Sequence, residues 1–187
     1  LGLNFNINMK LSHLSWLASD NNFSLDELWT RFKKIVSEPR ESRWTVLVLA
    51  SLANAAFCRL FDGNYTSIAI VFIATFVGFF VRQELLKRHW HILAVFTISS
   101  FISTMIGSTD YLFFHGGTED MSLGTSMLYL VPGVPIINGV MDMIDHHVLN
   151  GIARLTKAFM LVVCIAVGLT FTVILLDVNP LTVTKVS

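Results

Sequence analysis

The chain has 187 residues, of which 53% are hydrophobic and 14% charged, and its mean hydropathy of +0.64 lies above the range of soluble domains. Thirteen Lys and Arg balance thirteen Asp and Glu, so nothing attracts a polyanion and nucleic-acid binding is excluded as the main function. Cys58 and Cys164 each sit inside an apolar run, which argues against a disulfide framework or a thiolate metal site.

Charge is uneven along the chain. Eleven of the 26 charged residues fall in the first 43 positions, which separates a polar N-terminal segment from a membrane region. The sequence starts at Leu1 with no basic n-region and cleavage site, so it predicts no signal peptide and reads as a fragment boundary or a processed end. Met9, Leu11, Leu14 and Leu17 are spaced for one helical face, and Asp20-Asn21-Asn22 ends that helix. Ser24-Leu25-Asp26-Glu27 is a capping-box signature. Leu25, Leu28, Phe32, Ile35 and Val36 follow as an apolar stripe on a helix that also carries Arg31, Lys33 and Lys34, and Pro39 stops it. Residues 1–43 thus read as an amphipathic cytoplasmic segment whose stripe packs on a neighbouring domain or the membrane surface.

Five intervals free of Asp, Glu, Lys and Arg come next, at 44–58, 63–81, 92–109, 121–141 and 158–176. A bilayer core needs about 20 apolar residues per helix, and Arg59 can snorkel to extend the first interval to Phe61. The fold class predicted is all-α: a polytopic protein of about five transmembrane helices over 44–178, with an external tail at 179–187. Lys10, Arg31, Lys33, Lys34, Arg40, Arg43, Arg82, Lys87, Arg88, Arg154 and Lys157 fall on one side of these spans, and Arg59 and Lys185 on the other. That bias places the N-terminus in the cytoplasm and the C-terminus outside. The segment 107–120 carries Asp110, Glu119 and Asp120 without Lys or Arg and reads as an exterior loop. Trp44, Tyr65, Trp90 and Tyr111 stand near span ends, as interfacial aromatics do. An odd span count means that a second such unit would be inverted, and inverted repeats build many secondary transporters.

The stretch Leu130-Val131-Pro132-Gly133-Val134-Pro135-Ile136-Ile137-Asn138-Gly139 cannot continue a regular helix. Freed carbonyls in lipid need partners in the protein or water in a cavity, so span 4 is predicted to be discontinuous. Pro135 suits the first position of a new half-helix running toward Asn150-Gly151, and the amides there offer a place for a carboxylate. A simple packing kink is the other reading of the same residues. This motif, with Asn150-Gly151 and Arg154 after it, resembles the threonine/serine exporter family. Arg43-Trp44 leading into span 1, Phe61-Asp62-Gly63 closing it and Arg82-Gln83-Glu84 after span 2 carry the same resemblance, which covers roughly residues 9–178. It is strongest to the two-component, succinate-exporter-like branch. That implies a five-helix subunit working with a smaller second membrane subunit in the bacterial inner membrane, and lacking part of its N-terminal soluble region.

Asp142, Asp145, His146 and His147 form a second cluster, with Asp142, Asp145 and His146 on one face if the helix continues. The cluster suits a polar helix end, a proton relay or, least of all, a divalent metal. Asn54 lies mid-span, where an amide bonds another helix or contacts substrate. Thr97, Ser99, Ser100, Ser103 and Thr104 soften span 3, for close packing or a hydroxyl-lined path.

No Gly-x-Ser-x-Gly, His-Glu-x-x-His or phosphate-binding loop occurs, so no catalytic residue, metal or cofactor is expected and Gly116-Gly117 is a lone turn signal. The reading is an inner-membrane exporter subunit for a small carboxylate or amino acid, a succinate-like dicarboxylate or threonine and serine. Its predicted pathway is Pro132, Gly133, Pro135, Asn138, Asp142 and Asn54, with Asp145, His146 and Arg154 for proton relay or anion attraction. Its partners are the solute, the lipid bilayer and a second membrane subunit of inverted topology. An intramembrane metal-dependent enzyme and a non-transporting scaffold are the competing classes. An exporter calls for a broken helix at mid-depth, an enzyme for a closed ligand cluster and a scaffold for a continuous helix.

Overall fold

A computed structural model of the chain describes residues 5–20, 23–37, 42–113 and 119–176, all of them helix, turn or short connection. Pro39, Gly116-Gly117 and the 179–187 tail lie outside the described residues. The chain divides into two compact units, Leu1–Arg43 and Trp44–Ser187.

The first unit is a pair of helices, α1 (Phe5–Asp20) and α2 (Leu25–Val36). Ser24 caps α2 as its sequence predicts: its backbone is extended and its Oγ accepts the Glu27 amide at 3.3 Å. Asp26 and Glu27 meet the positive end of the helix dipole, and Lys33 and Lys34 the negative end. Glu27 pairs with Arg31 at 2.9 Å one turn on, and the Arg31 guanidinium stands over the Phe23 ring. Trp29 stacks on Phe32. Leu14 of α1 is buried within the unit, whereas Leu25, Phe32 and Val36 of the apolar stripe stay exposed.

The second unit contains α3 (Arg43–Leu60), α4 (Tyr65–Lys87), α5 (Ile92–Gly107), α6 (Thr109–Phe113), α7 (Glu119–Ser126), a 3₁₀ turn at Leu128–Leu130, α8 (Gly133–Ile144) and α9 (Val148–Leu176). Three stretches, Tyr65–Lys87, Ile92–Tyr111 and Val148–Leu176, are long and apolar enough to cross a membrane. Met121–Leu130 and Gly133–Ile144 add a fourth if that bent pair is one span. The remaining charge-free interval forms α3, an 18-residue helix with Arg43 first and Arg59 in its last turn. This is an all-α, multi-pass membrane protein.

Helix α5 is central, packed along α4 on one side and α9 on the other, while α8 packs along α9. Small residues make this possible, as expected where lipid supplies no hydrophobic drive between helices. Ser100 Oγ donates to the Ile165 carbonyl of α9 at 2.8 Å, and Thr104 and Thr172 share a hydrogen bond at 2.7 Å. Ser122 Oγ donates to the Gly107 carbonyl at 2.8 Å. Ser100 and Thr104 spend their hydroxyls on helix contacts, as the packing reading of these two residues expects. Phe96, Leu130, Leu161 and Ile165 form the apolar centre.

Three helix ends close by one device. Asp62, His89 and His146 hold φ of 62°, 59° and 64°, the left-handed region that Asp, Asn and His enter more readily than other non-glycine residues. After α8, the His146 amide donates to Met143 O at 3.2 Å and the His147 amide to Asp142 O at 2.8 Å. The same pair of bonds follows α3 (Asp62 to Arg59, Gly63 to Cys58) and α4 (His89 to Leu86, Trp90 to Leu85). Each left-handed residue costs about 1 kcal/mol relative to glycine, and two satisfied carbonyls offset it.

This geometry corrects several sequence expectations. Helix α8 stops at Ile144 instead of running to Asn150-Gly151, and Asp145 and His146 turn the chain, so Asp142, Asp145 and His146 do not share a helical face. Arg154 and Lys157 lie within α9, not in a loop. Asp110 is not a loop residue either: it is buried in α6 and accepts the Ser67 hydroxyl at 2.5 Å.

Candidate functional site: the break at Val131–Gly133

Met121–Leu130 and Gly133–Ile144 are bent by 61° at the break between them. Val131, held extended before a proline, and Pro132 form the break, with ψ of 124° and 59°. Helix α8 begins at Gly133, so Pro135 occupies its third position rather than its first. A proline costs nothing there, because an amide in the first turn has no intrahelical acceptor. The Gly133 amide donates to Val131 O at 2.8 Å and the Ile136 amide to Pro132 O at 3.2 Å. Only the Val134 amide of this turn is left for an outside acceptor.

The first half is anchored in the bundle. Tyr129 shares a hydrogen bond with Ser103 of α5 at 2.9 Å and meets Phe79 of α4 edge-on at 5.7 Å. Leu130 is fully buried against Phe96, Leu161 and Ile165. These contacts seat the break against Leu161 and Ile165 of α9. The core residues at the break are large and apolar, and they sit where α9 first becomes free of charge.

The predicted site residues separate into three places. Pro132, Gly133, Pro135 and Asn138 lie at the break and along α8, with Pro132 buried and Asn138 exposed. Asp142 and Arg154 come together, Nε to Oδ2 at 3.1 Å, and tie the end of α8 to α9. That Oδ2 is counted among buried oxygens lacking a hydrogen bond. The short distance with no directed N–H describes a coulombic pair rather than a well-aimed bond. Below it, Gly139 and Gly151 face each other so closely that a methyl at Gly151 would stand 2.7 Å from the Gly139 carbonyl oxygen. Asp145, His146 and His147 are exposed in the turn. Asn54 lies elsewhere, buried in α3, and donates to Thr75 Oγ1 at 2.6 Å and to Thr125 O at 2.8 Å. Its amide joins three helices. Among the described residues no three of His, Cys, Asp and Glu gather into a metal-binding group.

Residues 1–176 match the family model ThrE, described as "Putative threonine/serine exporter". The chain belongs to the threonine/serine exporter family. Among curated members, "Probable succinate transporter subunit YjjP" of Escherichia coli (strain K12) is 32% identical over 169 residues, which is 89% of this chain and 65% of that protein. The protein of the same name from Klebsiella aerogenes is 30% identical over 168 residues, with the same two coverages. The chain therefore spans 65% of the length of these relatives. No solved structure matches. Seen as a threonine/serine exporter family member, the chain puts its Pro-Gly-Val-Pro motif at a real interruption of the backbone.

Two polar groups that turn inward escaped the sequence reading, the buried Asp110 and the half-buried Arg82. Asp110 was masked by its polar neighbours in the same segment. Arg82 follows the charge-free run of α4 directly and reads like an anchoring residue at a helix end, but its guanidinium stands over Phe79 at 5.6 Å and Phe96 at 4.7 Å.

Proposed function

We propose that the chain is one subunit of a secondary exporter of a bacterial inner membrane. It carries a small carboxylate or amino acid, a succinate-like dicarboxylate or threonine and serine. One observation carries this reading: an apolar span broken by 61° at two prolines. Lipid tolerates interrupted backbone only where protein or a water-filled cavity satisfies it, and such breaks line solute sites in transporters. Family membership and relatives named as transporter subunits support it.

In this reading α3, α4, α5, the α7–α8 pair and α9 are five spans, with the N-terminus cytoplasmic and the C-terminus outside. A second membrane subunit of inverted topology completes the pathway. Solute passes the break at Val131–Gly133, where the Val134 amide and the positive end of α8 meet an anionic group without adding a buried charge. Asn138 and the Asp142–Arg154 pair border the route on the cytoplasmic side, and Asp145 and His146 exchange protons at its mouth.

The test is efflux of radiolabelled succinate, serine and threonine, each loaded into proteoliposomes holding the full-length subunit and its membrane partner. Release of at least one solute should run several-fold faster than from protein-free liposomes. Release of all three at the protein-free rate would overturn the proposal.

A further inference from the structure

Arg82 sits one turn before the end of α4, where a charged residue ordinarily reaches for water or lipid headgroups. Its side chain takes the opposite course. Side chains on a helix lean toward its N-terminus, and Arg82 lies back over Phe79, one turn deeper, and over Phe96 of α5. Its Nε is sealed from solvent without a hydrogen-bond partner. It makes no ion pair among the described residues, whereas Arg88 pairs with Glu84 and Arg154 with Asp142. Two aromatic faces only partly replace the lost hydration of a cation.

A second donor without a partner lies at the same level. Ser103 of α5 reaches Ala74 O and crowds Gly78 of α4. Moving one turn along each antiparallel helix brings Arg82 level with Ser99. Ser99 is fully buried and its Oγ has no partner. A helical serine ordinarily bonds the carbonyl four residues back, as Ser51 and Ser108 do here, so Ser99 has left its usual bond unmade. The Tyr129 hydroxyl, one turn deeper and edge-on to the same Phe79 that carries Arg82, is already spent on Ser103.

These groups share one chemistry. Arg82 has only donors, and the Ser99 hydroxyl has one to give. An acceptor-only ligand with two oxygens in a plane matches the guanidinium fork, and an ammonium group does not. We propose that Arg82 and Ser99 bind the carboxylate of the transported solute inside the bundle. The inference rests on the exporter reading for the source of that carboxylate. It makes Arg82 the residue that selects anionic solutes.

The test is equilibrium binding of radiolabelled succinate to the full-length subunit in phosphatidylcholine nanodiscs, with the diamide of succinate as the uncharged control. Wild type should bind succinate and not the diamide. Arg82→Gln should weaken binding about 30-fold or more, the loss expected when one partner of a buried charge pair is removed. Arg82→Lys should recover part of it, and Ser99→Ala should weaken it less. The thermal midpoint of Arg82→Gln should stay within a few degrees of wild type, because the charge removed has two aromatic faces but no ion pair to lose. Wild-type affinity in Arg82→Gln would overturn the site. So would a lowered midpoint with binding lost, which marks a structural role. Succinate binding displaced by added phosphatidylglycerol would assign the site to lipid headgroup phosphate instead. Efflux separates the two proposals: normal export by Arg82→Gln removes the site and keeps the exporter, whereas Arg82-dependent binding without efflux keeps the site and removes the exporter.

Discussion

Gly78→Leu is expected to leave no folded protein in a detergent extract. A methyl carbon placed on Gly78 stands 1.8 Å from Ser103 Oγ and 2.3 Å from the Tyr129 hydroxyl, which are themselves bonded to each other at 2.9 Å. Neither oxygen has room to give, because Ser103 also reaches the Ala74 carbonyl and Tyr129 packs on Phe79. Helices α4 and α5 must therefore separate, and overpacking of this kind costs about 1–3 kcal/mol even where the core adjusts. Here it also removes the anchor of the broken span. Gly124→Ala and Gly133→Ala meet nothing within 4 Å and serve as controls. Tryptophan-fluorescence melting in detergent should show both controls within a few degrees of wild type and no cooperative transition for Gly78→Leu. A normal transition for Gly78→Leu would mean that α4 and α5 do not pack as described.

Replacing Pro132 and Pro135 together with alanine is expected to abolish export while the protein stays in the membrane. Each proline disfavours an unbroken helix by about 3 kcal/mol, and glycine by only about 1 kcal/mol. With both prolines gone, Gly133 alone resists joining of the 3₁₀ turn to α8, and the unsatisfied-carbonyl penalty in lipid favours the join. The variant should be more helical by circular dichroism and should lose at least about 90% of its efflux, the tenfold effect of a 1.4 kcal/mol shift. Efflux at the wild-type rate with normal abundance would reduce the break to a packing kink.

How much of this was legible beforehand depends on the range of the interaction. The charge-free runs locate α3, α4, α5, the α7–α8 pair and α9, because exclusion of charge from lipid acts on each residue separately. Ser24 as cap of α2 and the break at Pro132 were equally readable, since both follow from a residue's own backbone chemistry. The end of α8 was not. His146 and its two counterparts occupy a conformation usually signalled by glycine, and no glycine stands at any of the three. The Asp142–Arg154 pair needs the register of α8 on α9, which the crowded Gly139 and Gly151 impose and periodicity does not encode. Asn54 resolves the same way, with its partners on α4 and α7 far away in sequence. Arg82 was hidden by company: it precedes Lys87 and Arg88 closely, and the rings it lies over, Phe79 and Phe96, belong to two different helices.

If the break at Val131–Gly133 lines the route of the solute, a thiol at Gly133 should be reachable from water and shielded by the solute. Gly133→Cys fits without displacing a neighbour, since nothing lies within 4 Å of a side chain there. With Cys58 and Cys164 replaced by alanine, a membrane-impermeant maleimide applied to inside-out vesicles should label Gly133→Cys. Saturating succinate should slow that labelling several-fold, and its diamide should not. Labelling at the same rate with and without the transported solute, or no labelling from either face, would contradict the account.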